Sequence, residues 1–189
     1  MQEAAVVLAR AEESIHRNLD KGVSLGKLDA AKAEAAKLRL ALDTDLAAAV
    51  EEADLVIEAA PESMALKLEL FGKVAKFAPT NALFASNTSS LSVTEIGAGT
   101  GRPDRFGGMH FFNPVHLMKL LEIVRGLETS DESVALFREV GERMPARHDA
   151  LAPVVDEEGP LAAQGLGDQR LLTRRALPEV EHRRVELHE

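Results

Sequence analysis

The chain has 189 residues, 46% of them hydrophobic and 28% charged, with a formal net charge of −9 and no cysteine. That length and apolar content suffice for one domain with a real core and exclude a chain that is disordered throughout. The acidic balance argues against a broad surface for nucleic acid or anionic lipid, and the absence of cysteine excludes disulfides and thiolate metal sites and fits a cytoplasmic setting.

The chain opens on a predicted helix, because Ala4, Leu8, Ala11, Ile15 and Leu19 recur at steps of three and four up to Gly22. Glu3, Arg10, Glu12 and Glu13 interrupt the same stretch, so it has no signal-peptide core. No apolar run reaches the roughly 18 to 20 residues of a membrane span. A second helix is predicted over 29–41, and Thr44 is the expected N-cap of a short third one. "DLVIEAA", residues 54–60, is apolar without alternation and reads as a strand covered on both faces of a parallel sheet. Met64, Leu68, Phe71, Ala75 and Ala78 mark a helix from Ser63, and Pro79-Thr80-Asn81 turns the chain into a second buried strand, "ALFASN".

Ser92 with Glu95 three residues on makes a capping box for a short helix. "RFGGMHFF" and "KLLEIV" are two further strands, and a last helix is predicted from Asp131 to Glu142. Strands alternating with helices point to an α/β, doubly wound sheet. After residue 142 there is no phenylalanine or lysine and no sustained apolar period. Residues 143–189 therefore read as a tail of uncertain structure, disordered or loosely packed, with a short docked helix around "QRLLTRRAL" as the competing reading. Glu179 and Glu181 among its arginines make it a mixed-charge surface rather than a nucleic-acid site.

"GAGTGR", residues 97–102, imitates a dinucleotide-binding glycine motif, but Arg102 replaces the third glycine. The segment also follows a helix and precedes a strand, which is the wrong order for a phosphate cradle. The six histidines are too scattered for a metal site. The ends of the first two predicted strands offer more, because ligands of open parallel sheets sit outside the carboxyl ends of the strands. Ala59, Ala60, Pro61 and Glu62 follow the first strand, and Asn87, Thr88, Ser89 and Ser90 follow the second, so the two loops should face one crevice. Taken alone, "SNTSS" reads as a plain polar turn leading into a helix cap, and its position at the strand end is what favours the ligand reading. If "GMHFF" and "KLLEI" form an antiparallel hairpin, the register that pairs residue 112 with 120 also pairs His110 with Glu122. A carboxylate beside an imidazole fixes its tautomer and makes a general-base dyad. The other reading is a hydrogen-bonded polar pair that ties down a sheet edge.

"ADLVIEAAPE", "LFASNTSSLS", "RFGGMHFFNPVHLMKLLEIV" and "TSDESV" together resemble the nucleotide-binding domain of the 3-hydroxyacyl-CoA dehydrogenases over residues 1–142. "HFFNP" separates the sequence from the related gulonate dehydrogenases, which carry "HPVNP" there. The resemblance implies an incomplete Rossmann-type sheet and NAD-dependent oxidation of an L-3-hydroxyacyl-CoA to the 3-ketoacyl-CoA, a step of fatty-acid β-oxidation or, in reverse, of butyrate metabolism. It implies His110 as general base, Glu122 as the carboxylate that orients it, and Ser89 as the serine that hydrogen-bonds the substrate oxygen. Asn113 would line the same pocket. Ala59, Glu62, Lys67, Ser89 and Asn113 fall on cofactor-contacting positions.

The family pattern places a strand, a G-x-G-x-x-G turn and a second strand with a terminal acidic residue before the point where this sequence starts. It also continues into a helical domain through a "PGF-x-x-NR" segment that the tail lacks. The expectation is therefore a sequence truncated at both ends or frame-shifted. The alternative function is an inactive fragment with at most a partner-binding role. The expected partners are acyl-CoA and either a homodimer or a partner chain supplying the helical domain.

Overall fold

In a computed structural model of the chain, residues 2–115, 118, 120–144 and 154–156 are described. Their elements run α1 (Gln2–Ser24), α2 (Ala30–Arg39), α3 (Leu46–Val50), β1 (Leu55–Glu58), α4 (Met64–Phe77), β2 (Leu83–Ser86), α5 (Val93–Gly99), a 3-10 turn (Pro103–Arg105), β3 (Phe106–Phe111), β4 (Leu121–Arg125), α6 (Asp131–Arg143) and β5 (Val155–Asp156). The strands form one sheet in the order β1-β2-β3-β4-β5. β1, β2 and β3 are mutually parallel, β4 returns antiparallel to β3, and β5 lies parallel to β4.

Helix starts follow local hydrogen-bond chemistry. Ser63 accepts from the Leu66 N–H at the head of α4, and Ser92 accepts from the Glu95 N–H at the head of α5, each satisfying a donor that the first helical turn leaves open. The predicted Thr44 cap is corrected: Asp45 caps α3 by accepting from the Ala47 N–H, while Asp43 accepts from the Asp45 N–H. A carboxylate one residue closer to the helix reaches its free N–H, so the threonine is not needed there.

The sheet is covered on both faces. Val56, Phe84, Phe106 and Val124 point to one side and pack with Val50 of α3, Phe71 and Val74 of α4 and Val93 and Ile96 of α5. Leu83, Ala85, Met109, Leu121 and Ile123 point to the other and pack with Phe137 of α6. That two-residue alternation is hidden in the sequence because both faces are apolar. Burying each such large side chain contributes about 1.5 to 3 kcal/mol.

Close approach explains the paired glycines of β3. A Cβ on Gly107 would lie 2.6 Å from the Phe137 ring on one face, and a Cβ on Gly108 would lie 2.7 Å from Val124 Cβ on the other. "GAGTGR" forms the end of α5 and the turn after it, where Gly101 takes φ +72°. Its arginine is structural. Arg102 donates to the Pro79 carbonyl at 2.6 Å and the Ala75 carbonyl at 3.1 Å, closing the end of α4, and stacks over the Phe84 ring.

Within the stretch read as an irregular tail, Val155 and Asp156 pair with Val124 and Arg125. The competing helix around "QRLLTRRAL" and most of 143–189 lie outside the described residues. Among the described residues, no helix is long and apolar enough to cross a membrane, and no group of three or more metal-binding side chains occurs.

Candidate active site at the strand ends

The register places the site. Glu58 lies beside Ser86, Ser86 beside Gly108, and Gly108 beside Val124. Side chains two apart on a strand share a face. His110, two residues past Gly108, and Glu122, two before Val124, therefore stand on the same face as Glu58 and Ser86, about 7 Å further along the strand direction. That face carries α4 and α5, and that end of the sheet is where the three parallel strands finish.

His110 and Glu122 are paired directly across β3 and β4, as the hairpin register requires. Imidazole Nδ1 and the carboxylate Oε2 are 3.1 Å apart, with the side chains 13% and 24% exposed. The pair is thus sheltered but still partly exposed to solvent. Phe112 rests against the imidazole, ring centroids 4.4 Å apart. With Nδ1 engaged by the carboxylate, Nε2 is the nitrogen left to accept a proton.

A single carboxylate joins the loops after β1 and β2. Glu62 Oε1 accepts from the Thr88 hydroxyl, from the Ser89 N–H at 3.2 Å, and from the Ser90 N–H and hydroxyl at 3.3 and 3.2 Å. Partial burial works to raise the Glu62 pKa. The Thr88 hydroxyl, the Lys67 charge, the Ser89 N–H and the Ser90 hydroxyl together outweigh that effect and hold it below the usual carboxylate range. Ala59, Ala60 and Ser89 are half-buried, and Asn113 is exposed at the start of the β3–β4 connection. Asn87 ties the third strand to this frame: its side-chain oxygen accepts from the Phe111 N–H at 2.8 Å, and its own N–H donates to the Glu58 carbonyl at 2.8 Å.

Lys67 is not at the crevice surface. It is 1% exposed, and its ammonium donates to both oxygens of Glu58 at 2.8 and 3.0 Å and to the Ala60 carbonyl at 3.2 Å, with Glu62 Oε2 at 3.4 Å. Glu58, which sequence reasoning passed over, is 0% exposed and also accepts from the Ser86 hydroxyl at 2.6 Å and from the Ala60 N–H. A signal for it existed. A carboxylate inside an apolar strand demands a buried cation, and Lys67 on the apolar face of the next helix supplies one.

The sequence pattern described as "3-hydroxyacyl-CoA dehydrogenase, NAD binding domain" matches residues 1–150. The chain is 45% identical over 131 residues to 3-hydroxyadipyl-CoA dehydrogenase of Escherichia coli, covering 69% of this chain and 27% of that one. It is 41% identical over 143 residues to a probable 3-hydroxybutyryl-CoA dehydrogenase of Bacillus subtilis, covering 76% of this chain and 48% of that one. Among solved structures, (S)-3-hydroxybutyryl-CoA dehydrogenase from Ralstonia eutropha superimposes with a TM-score of 0.70 at 34% identity, over 79% of this chain and 50% of that one. The chain thus spans about half or less of the length of these relatives. It belongs to the 3-hydroxyacyl-CoA dehydrogenase family of oxidoreductases, and the part that matches is the family's NAD-binding domain.

Proposed function

We propose that this chain serves NAD-dependent oxidation of an L-3-hydroxyacyl-CoA to the 3-ketoacyl-CoA, as in fatty-acid β-oxidation or, in reverse, butyrate metabolism. The observation that supports this most is the His110–Glu122 pair, 3.1 Å apart and partly exposed at the strand ends. NAD, when bound, supplies the acceptor for the hydride that leaves C3 of the substrate. His110 Nε2 takes the hydroxyl proton, and Glu122 holds the ring through Nδ1 and balances the charge that develops on it. Ser89 donates a hydrogen bond to the substrate oxygen, and Asn113 lines the same pocket.

The described residues fit the nicotinamide end of the cofactor. Small Ala59 and Ala60 leave space beside the end of β1, while Glu62 and Ser89 offer an acceptor and a hydroxyl for ribose and carboxamide groups. Lys67 acts toward the cofactor by holding Glu62. No strand–glycine-turn–helix able to cradle a pyrophosphate occurs among the described residues.

The test is NADH oxidation with acetoacetyl-CoA, with His110→Ala as control. Turnover that falls about 10² to 10⁴-fold in the variant supports the reading, following the usual contribution of a positioned base. Wild-type protein that turns over no faster than the variant favours the alternative, a chain that keeps the pair but only binds a partner.

A further inference from the structure

Glu58 is a fully buried carboxylate that neither touches the crevice nor belongs to the proposed proton path. Its contacts nevertheless reach the loops after β1 and β2 and, through Asn87, the end of β3. Its Oε1 accepts from the Ala60 N–H, which fixes the first loop where it leaves β1. Its Oε2 accepts from the Ser86 hydroxyl, whose oxygen in turn accepts from the Thr88 N–H at 3.3 Å in the second loop. Both oxygens hold Lys67, which carries the charge on to Glu62 at 3.4 Å, and Glu62 gathers Thr88, Ser89 and Ser90. The Glu58 carbonyl accepts from Asn87, whose side chain fixes Phe111 beside His110. Lys67 alone cannot make this frame, because an ammonium only donates, and the Ala60 N–H and Ser86 hydroxyl need an acceptor.

We propose that Glu58 is a positioning residue that locks the loops after β1 and β2, segments 59–62 and 87–91, into the geometry of one ligand-binding crevice. The identity of that ligand as a nicotinamide dinucleotide rests on the reading above; the lock itself does not. A buried ion pair exchanged for neutral side chains of similar size often keeps its stability. Position and stability are therefore separable here: removing both charges spares the fold but takes away the acceptor that organises the loops.

The experiment compares wild type, Glu58→Gln and the double variant Glu58→Met/Lys67→Met, whose methionine offers no carboxylate or amide acceptor at position 58, by amide hydrogen exchange, with α6 as internal reference, alongside urea midpoints and NADH titration. In the double variant the urea midpoint should return to the wild-type value or above it, while segments 59–62 and 87–91 still exchange about tenfold faster than in wild type and α6 does not. If Glu58→Gln fails to fold, the double variant carries the measurement. Loop exchange that recovers together with stability would reduce Glu58 to a plain stabilising residue and overturn the proposal, as would acceleration spread evenly over the chain or loops that exchange at the wild-type rate. NADH affinity that is about tenfold weaker in both variants at matched stability would extend the lock to the cofactor. Wild-type protein that takes up no NADH counts against the dehydrogenase reading, while the exchange result still decides the lock.

Discussion

Replacing Gly108 with alanine adds one methyl group at the point where the sheet register and the His110–Glu122 pair depend on each other. The new Cβ would sit 2.7 Å from Val124 Cβ and 3.2 Å from Val124 Cγ2 and Val93 Cγ2. None of those neighbours is the free end of a flexible side chain, since Val124 Cβ is fixed to β4 and Val93 opens α5. Relief therefore requires β3 and β4 to shift. Overpacking of this kind costs about 1 to 3 kcal/mol, and the better strand propensity of alanine returns about 0.5 to 1, so a net loss of up to about 2.5 kcal/mol, centred near 1, is expected. With a urea slope of about 1 to 3 kcal/mol per molar, the midpoint should fall by roughly 0.5 to 1 M. Val124→Gly in the same chain removes the obstructing carbons and should recover part of that loss relative to the two single variants. A Gly108→Ala midpoint equal to or above that of wild type would mean that the strands are not this close, and the placement of His110 against Glu122 would lose its support.

Phe137 fills the opposite face over Gly107, and Phe137→Ala should destabilise the chain by about 3 to 5 kcal/mol in urea or thermal unfolding, a core cavity cost; a loss under about 1 kcal/mol would contradict the packing of α6 on the sheet. Glu62 gives a pH signature. Its folded pKa lies below the usual 4.5, so the unfolded state binds more protons between the two values, and its contribution to stability is complete above 4.5 and lost as pH falls through the folded value. Urea midpoints of wild type and Glu62→Gln should converge as the pH is lowered below 4.5; a gap that does not change with pH would show that the carboxylate is not held between the two loops.

Much of the fold was legible because helices and strands here obey local chemistry. Ser63 and Ser92 announce their helices, and the apolar runs at 54–60 and 82–87 announce buried strands. The His110–Glu122 pairing was legible for a different reason: an antiparallel hairpin has few registers, and the one that pairs its apolar residues also pairs these two. Thr44 is the expected cap and Asp45 the observed one; both can accept a hydrogen bond, and Asp43 accepting from the Asp45 N–H accompanies the choice. β5 was illegible because a two-residue strand has no period, and its place is set by the edge that β4 offers. Lys67 is legible only through the family resemblance, as a cofactor-contacting position, and its burial depends on Glu58, the neighbouring carboxylate that makes it tolerable. Residues that act through three-dimensional charge pairing leave the weakest trace in a linear sequence.

The proposed chemistry depends above all on Glu122 holding the His110 ring so that one defined nitrogen faces the crevice. Nitrogen-15 spectra of the histidine rings in the intact chain, with Glu122→Gln as the comparison, read that nitrogen without any intervening inference. For the neutral ring of His110 the geometry predicts the proton on Nδ1 with Nε2 bare, and a loss of that preference in the variant. A ring protonated at Nε2 in wild type, or spectra that the substitution leaves unchanged, would contradict it.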